Sequence, residues 1–187
     1  MAKKLSRIIS VTILVLALMA VLLALRAPST DRVSASAPEA RSFEEKLALL
    51  GVAHLQGAAQ TAHITEGELT SALQQSLDES AAHPAGTAAL KAASVHLEGD
   101  GFVAVLTLDV SGKDLYLTLT GTLDAAGGML QIQPVSARLG SLPIPVSIIR
   151  RQLQKQMDSP EGRERLRLPE FIRRVHIENG ELLVESQ

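Results

Sequence analysis

Residues 102–123 read FVAVLTLDVSGKDLYLTLTGTL, and the alternation in that stretch decides the fold. Phe102, Ala104, Leu106, Leu108 and Val110 recur at every second position. After a turn at 111–114, Leu115, Leu117 and Leu119 alternate with Tyr116, Thr118 and Thr120. A period of two sends successive side chains to opposite faces, which is the signature of a β-strand. Working outward, Val95 and Leu97 lead into Gly99-Asp100-Gly101, a hairpin turn. On the other side the second strand runs to Leu123, residues 124–128 (DAAGG) turn the chain, and 129–139 form a fourth strand. The pattern predicts a meander of long antiparallel strands with one apolar face and one face rich in Thr and Gln.

Helical spacing flanks this meander. Phe43, Leu47 and Leu50 predict a short amphipathic helix at the start of the domain. Thr65-Glu66-Gly67-Glu68 is a capping box, with Ile64 and Leu69 placed as a hydrophobic staple, so a helix is expected over 66–77. A loop follows over 80–86. Residues 140–145 break the sheet, and Val146, Ile149, Leu153 and Met157 mark a second amphipathic helix. A polar run over 158–165 leads to a turn at Leu168-Pro169. Residues 173–178 and 181–185 then pair across Asn179-Gly180, a dipeptide suited to a type I′ turn. The class is α+β, with about six strands and two or three helices.

The N-terminal segment sets the setting. Residues 8–25 (IISVTILVLALMAVLLAL) carry no charge over 18 positions, about 27 Å of helix, which matches a bilayer's hydrocarbon core. Lys3, Lys4 and Arg7 precede it, so the N-terminus is expected in the cytoplasm and the remainder outside, across the cytoplasmic membrane. The competing reading is a cleaved signal peptide, with Ala35-Ser36-Ala37 or Val33-Ser34-Ala35 as the small-x-small site. The first site lies 12 residues beyond the apolar run and Pro38 follows its cut, which favours a retained anchor. The organisation expected is a cytoplasmic tip and transmembrane anchor over 1–25, a flexible tether over 26–42 and an extracytoplasmic α+β domain over 43–187.

Composition excludes several chemistries. The chain has no cysteine, which removes disulfides, thiolate metal sites and thiol catalysis. Its aromatic residues are Phe43, Phe102, Tyr116 and Phe171, so base-stacking nucleic-acid modules are not expected. The histidines, His54, His63, His83, His96 and His176, have no i+4 partner histidine and no HExxH. No G-x-S-x-G or S-x-x-K occurs. Gly99-Asp100-Gly101 imitates a dinucleotide fingerprint, but a strand follows where the fingerprint needs a helix. Glu98 and Asp100 offer at most a weak cation site in that turn. No catalytic, metal or cofactor residues are assigned, and no enzyme activity is expected.

Charge is uneven. Residues 39–149 hold 12 acidic and 5 basic side chains, whereas 150–174 hold 8 basic and 4 acidic. A basic segment of this kind is a solvated helix face or a patch for anionic lipid headgroups or a phosphorylated ligand. The leucine-rich sheet face is either closed by the helices or leaves a gap for an acyl chain. Leu106, Leu108, Leu117, Leu119, Ile149 and Leu153 are the expected lining of such a gap, with Arg150, Arg151 and Lys155 as headgroup contacts.

The element order resembles the YpmS-like membrane-anchored bacterial envelope proteins and, more distantly, the LmeA-like lipid-binding proteins. The matching pieces are the anchor and tether, the helix start at 64–69 (ITEGEL), 140–145 (GSLPIP) before the amphipathic helix, and 168–172 (LPEFI) before the final hairpin. The resemblance implies a long-stranded antiparallel sheet curved around one or two amphipathic helices, and a lipid-related role in the envelope. The expected function is a membrane-anchored, non-enzymatic lipid-binding or lipid-handling accessory protein. The alternative is a single-pass assembly factor that docks an envelope protein through its sheet edge or basic helix.

Overall fold

The computed structural model describes residues 33–80 and 88–186. The apolar run 8–25, the first seven residues of the expected tether and most of the loop over 80–86 lie outside the described residues. No helix among the described residues is long and apolar enough to cross a membrane.

Helix α1 (Ala37–Leu55) opens the fold. The Ser36 hydroxyl accepts from the Glu39 N–H at 3.4 Å, and Pro38 sits in the first turn, where a missing N–H leaves nothing unpaired. Residues 37–42 are therefore helical, not tether, and the folded domain begins before residue 43. Small residues and a proline fit a linker and a helix start equally well, and here the cap decides. Strand β1 (Thr61–Ile64) leads directly into α2 (Glu66–Ser80). The capping box is present in both directions: Glu68 N–H donates to the Thr65 hydroxyl at 3.3 Å, and Thr65 N–H donates to the Glu68 carboxylate at 3.0 Å.

Five strands follow in one antiparallel sheet, in the order β2 (Ala88–Glu98), β3 (Gly101–Val110), β4 (Lys113–Ala126), β5 (Met129–Leu139) and β6 (Leu142–Ile144). The expected break at 140–145 thus contains a short strand. Pro143 has no N–H to donate, and an outermost strand tolerates it because one side needs no partner. Helices α3 (Val146–Met157) and α4 (Pro160–Leu166) come next. The polar run 158–165 is largely helical because the Ser159 hydroxyl accepts from Gly162 N–H at 3.0 Å and Pro160 starts the turn. Strands β7 (Ile172–Glu178) and β8 (Glu181–Ser186) form a second sheet in the order β1-β8-β7. The described residues hold eight strands and four helices, two strands and one helix more than the sequence suggests at most.

The hairpins are set by residues that accept a left-handed backbone. Asn179 and Gly180 take φ values of 52° and 79°, the type I′ pattern, and Gly127 and Gly128 take 62° and 72°. Gly121 serves another purpose. A β-carbon there would lie 2.5 Å from the Gln133 carbonyl oxygen and 3.2 Å from the Phe102 ring, so β4 and β5 pack closely under that ring only with glycine.

The core lies where the two sheets meet α1. Leu50 from α1, Ile64 from β1, Val175 and Ile177 from β7, and Leu182 and Val184 from β8 pack against Val95, Leu97 and Phe102 of the large sheet. That places the core toward the Gly99 end of the long strands.

Helix α2 does not cover a face of the large sheet. It runs along the edge of β2 and supplies what a sixth strand would supply. Glu66, Thr70 and Gln74, spaced four apart on one stripe, accept from the backbone N–H groups of Leu97, Val95 and Ala93 at 2.6, 2.9 and 3.3 Å. Thr70 also donates to the Val95 carbonyl at 3.3 Å, and Gln74 to that of Lys91 at 3.3 Å. Thr70 is 1% exposed. Thr70→Val keeps the shape but leaves two buried β2 groups unpaired, and should cost about 2–3 kcal/mol. Chemical denaturation will read the loss, with Thr70→Ser closer to wild type.

Glu68 joins the two helices. Its carboxylate receives Lys46 Nζ at 2.7 Å, the Ser42 hydroxyl and the Thr65 N–H. Burial pushes this carboxyl up, but the hydrogen bonds from Lys46, Ser42 and Thr65 and the charge of Lys46 outweigh it and hold it below the usual glutamate range. A depressed folded-state value means that the stabilisation is present above the unfolded value and lost as pH falls through the folded one. Glu68→Gln should therefore be less stable than wild type by about 1–3 kcal/mol near neutral pH. The gap should narrow below about pH 4.3, the ordinary glutamate value. Melting curves of both proteins from pH 7 to 3 will show it.

Candidate functional site

Strand pairing arranges the leucines in rows. Ala93, Leu106, Leu117, Leu139 and Leu142 stand side by side across β2 to β6. Leu90, Leu108 and Leu115 form the next row toward the Ser111 end, and Val95, Ala104, Leu119, Ala137 and Ile144 the next toward the core. All three rows share one face, because their members are paired directly or lie an even number of residues apart.

The rows differ in what covers them. Ala104 and Leu119 pack against the core cluster, which stops at that row among the described residues. Leu106, Leu108, Leu115, Leu117, Leu139 and Leu142 are half-buried, and Leu90 is exposed. Strand β7 is the element that chiefly packs across β3 and β4 beyond their own neighbours. The face is packed by the core cluster at the Gly99 end, and toward the Ser111 end its leucines are half-buried, with Leu90 37% exposed.

Nine site residues are expected from the sequence, and the structure divides them. Leu106, Leu108, Leu117 and Leu119 share the apolar face, with Leu119 at its packed boundary. Ile149 and Leu153 lie half-buried on α3, which packs on β5, the strand that contributes Leu139 and Ala137 to the rows, and on α4. Arg150 donates to the Pro134 carbonyl at 3.5 Å, while Arg151 and Lys155 are exposed. The sequence does not single out Leu90, Leu115, Leu139 and Leu142 for this surface. The same alternation carries them, but their rows become visible only with the register.

The opposite face carries Thr118, Thr120, Thr122, Gln131 and Gln133, as expected. Part of it is nonetheless buried: Val105 and Thr107 line a cleft of about 210 Å³ with Val33 and Thr70. A neighbouring cleft of about 490 Å³ lies between residues 35–37 and α2, lined by Ser36, Ser71 and Gln74. A third, of about 360 Å³, lies at the Gly127-Gly128 turn with Arg163, Arg167, Glu164 and Glu170. None of the nine residues lines these three clefts.

Titratable groups serve the fold. Lys91 sits at a bulge in β2 and bridges Asp114 and Asp109 at 2.7 and 2.9 Å. Those hydrogen bonds raise its ammonium above the usual lysine range and lower Asp109 below the usual carboxylate one, pinning the Ser111 end of the sheet. His63 meets Glu181 at 2.8 Å on the outer side of the small sheet. His96 and His176 each bury one ring nitrogen without a hydrogen-bond partner. Among the described residues no three His, Asp or Glu side chains are grouped to hold a metal ion.

The boundary between packed and open rows has a measurable consequence. Leu97→Ala, within the core, should cost about 2–5 kcal/mol, whereas Leu117→Ala, beyond it, should cost about 1 kcal/mol or less. Equal losses in urea denaturation would mean that the leucine face is closed.

Comparison with known proteins finds no relative: no family model, curated protein or solved structure matches the chain.

Proposed function

We propose that this chain is a membrane-anchored, extracytoplasmic lipid-binding or lipid-handling accessory protein of the bacterial cell envelope, acting without catalysis. The observation that supports it most directly is the half-open row Leu106–Leu117–Leu139–Leu142 beside Leu90–Leu108–Leu115. Each methylene moved from water onto such a surface contributes about 0.8 kcal/mol, so a long acyl chain binds without a polar anchor. In this reading the run 8–25 spans the cytoplasmic membrane with the N-terminus inside. The long strands, twisted as such strands are, curve their leucine face around the bound chain. Arg151 and Lys155 offer cations to an anionic headgroup.

Docking of a partner protein through the large sheet's edge fits less well. On the β2 edge the N–H groups of Ala93, Val95 and Leu97 are taken by α2, and β6 on the other side is three residues long with a proline in the middle.

Two measurements test the reading. An alkaline-carbonate wash of membranes should leave the full-length chain in the pellet. Native mass spectrometry of the detergent-extracted protein should show co-purified lipid, and Leu117→Trp, which fills the open face, should keep the fold and lose that lipid. Wild-type protein without lipid, together with a Leu117→Trp variant that unfolds, would sink the proposal.

A further inference from the structure

We infer that the outward face of the last two turns of α1 docks on the surface of the bilayer that carries the chain. Leu49, Val52 and Leu55 are 57%, 49% and 86% exposed. At 3.6 residues per turn their common direction points away from Leu50 and Ala53, the positions α1 buries. The same outward side carries Arg41, Glu44 and Glu45 in the earlier turns, all exposed. The first half of α1 is therefore amphipathic, while its last turns are apolar on both sides. A helix apolar all round is normally covered all round, and clustered exposed leucines mark a contact surface.

What covers it follows from where α1 sits in the chain. It is the first element of the domain, and ten residues, 26–35, lie between Leu25, the end of the apolar run, and its Ser36 cap, eleven Cα–Cα steps in all. Fully extended, that segment reaches about 40 Å at most. The 19-residue helix is itself about 28 Å long. A bilayer holding residues 8–25 is thus always within reach of this face, at a local concentration that makes even a shallow contact effective. The inference rests on the anchor proposed above. Glu44 and Glu45 lie on the same side, so the contact is apolar in origin. It should need no anionic lipid and should survive high salt, unlike docking by a basic patch.

The absence of cysteine makes the test direct. Full-length Leu55→Cys carries a single thiol for a polarity-sensitive nitrobenzoxadiazole label, and Gln133→Cys on the exposed polar face serves as control. Both are reconstituted in phosphatidylcholine vesicles containing spin-labelled lipid. The label at position 55 should shift to shorter wavelength and be quenched at least several-fold more than that at 133, equally at low and high salt. A water-like label at 55 in protein that resists a carbonate wash would overturn the docking and leave the anchor standing. Protein that washes off would remove the anchor and the docking together. A shifted label that lipid does not quench, and that responds to protein concentration, would assign the face to a second copy and overturn the inference.

Discussion

The edge of β2 is the constraint on which the rest of the structure turns. An edge strand presents unpaired N–H and C=O groups that must be covered or they recruit another chain. Here Glu66, Thr70 and Gln74 meet them at successive turns of α2. That requirement fixes the azimuth and height of α2 against the sheet. It also fixes where α2 begins, since Glu66 must reach Leu97. Once α2 is placed, its start positions α1 through Glu68, Lys46 and Ser42, and through the Glu39 carboxylate that receives Ser71 at 3.2 Å. Lys46 then donates to the His63 carbonyl at 2.6 Å and ties α1 to the outer strand of the small sheet. One chain of polar contacts runs from the large sheet through two helices to the small one.

A helix that seals an edge leaves the adjacent face to something else. In this fold α2 lies along β2 and α3 packs on β5, at opposite sides of the large sheet. The small sheet and α1 cover the Gly99 half, where Phe102 rests over Gly121. The long strands continue past that cover. Strand β4 has 14 residues, far more than three short partner strands can pack against. Extra strand length thus carries the leucine rows beyond the core cluster, and the Lys91 bridge to Asp109 and Asp114 keeps that end in register.

Much of this was legible in residues 64–69 and 102–139. Alternation placed β3 and β5 within a residue of their ends, and Thr65-x-x-Glu68 marked the start of α2 because a capping box is a local interaction. The Asn179-Gly180 turn was equally readable, since its positive φ values are a property of two residues. The missed elements depend on partners distant in sequence. Strand β6 exists because Leu142 and Ile144 reach Leu139 and Ala137, while Pro143 argues locally against it. The starts of α1 and α4 do carry a local signal, serine followed by proline, which small polar surroundings also make a reasonable linker. The edge contacts of α2 span 17 to 31 residues, and periodicity has no means of finding them. For the candidate surface, sequence identified the leucine face, but which half stays open depends on where β7 crosses it.

The chemistry of that face narrows what it can recognise. Three of the four aromatic side chains, Phe43, Phe102 and Phe171, belong to or pack against the core, and the leucine rows beyond it contain leucine and alanine alone. Flat ligands such as nucleobases and sugar rings gain most from an aromatic platform and from hydrogen bonds aimed at their edges. The rows provide neither. Leucine side chains at regular cross-strand spacing present a corrugated aliphatic surface with no polar atom outside the paired backbone. Such a surface discriminates poorly among aliphatic chains and strongly against anything that must keep hydrogen bonds. Polar selectivity therefore has no source within these rows, and the nearest candidates named by the sequence, Arg151 and Lys155, are exposed on a different element, α3.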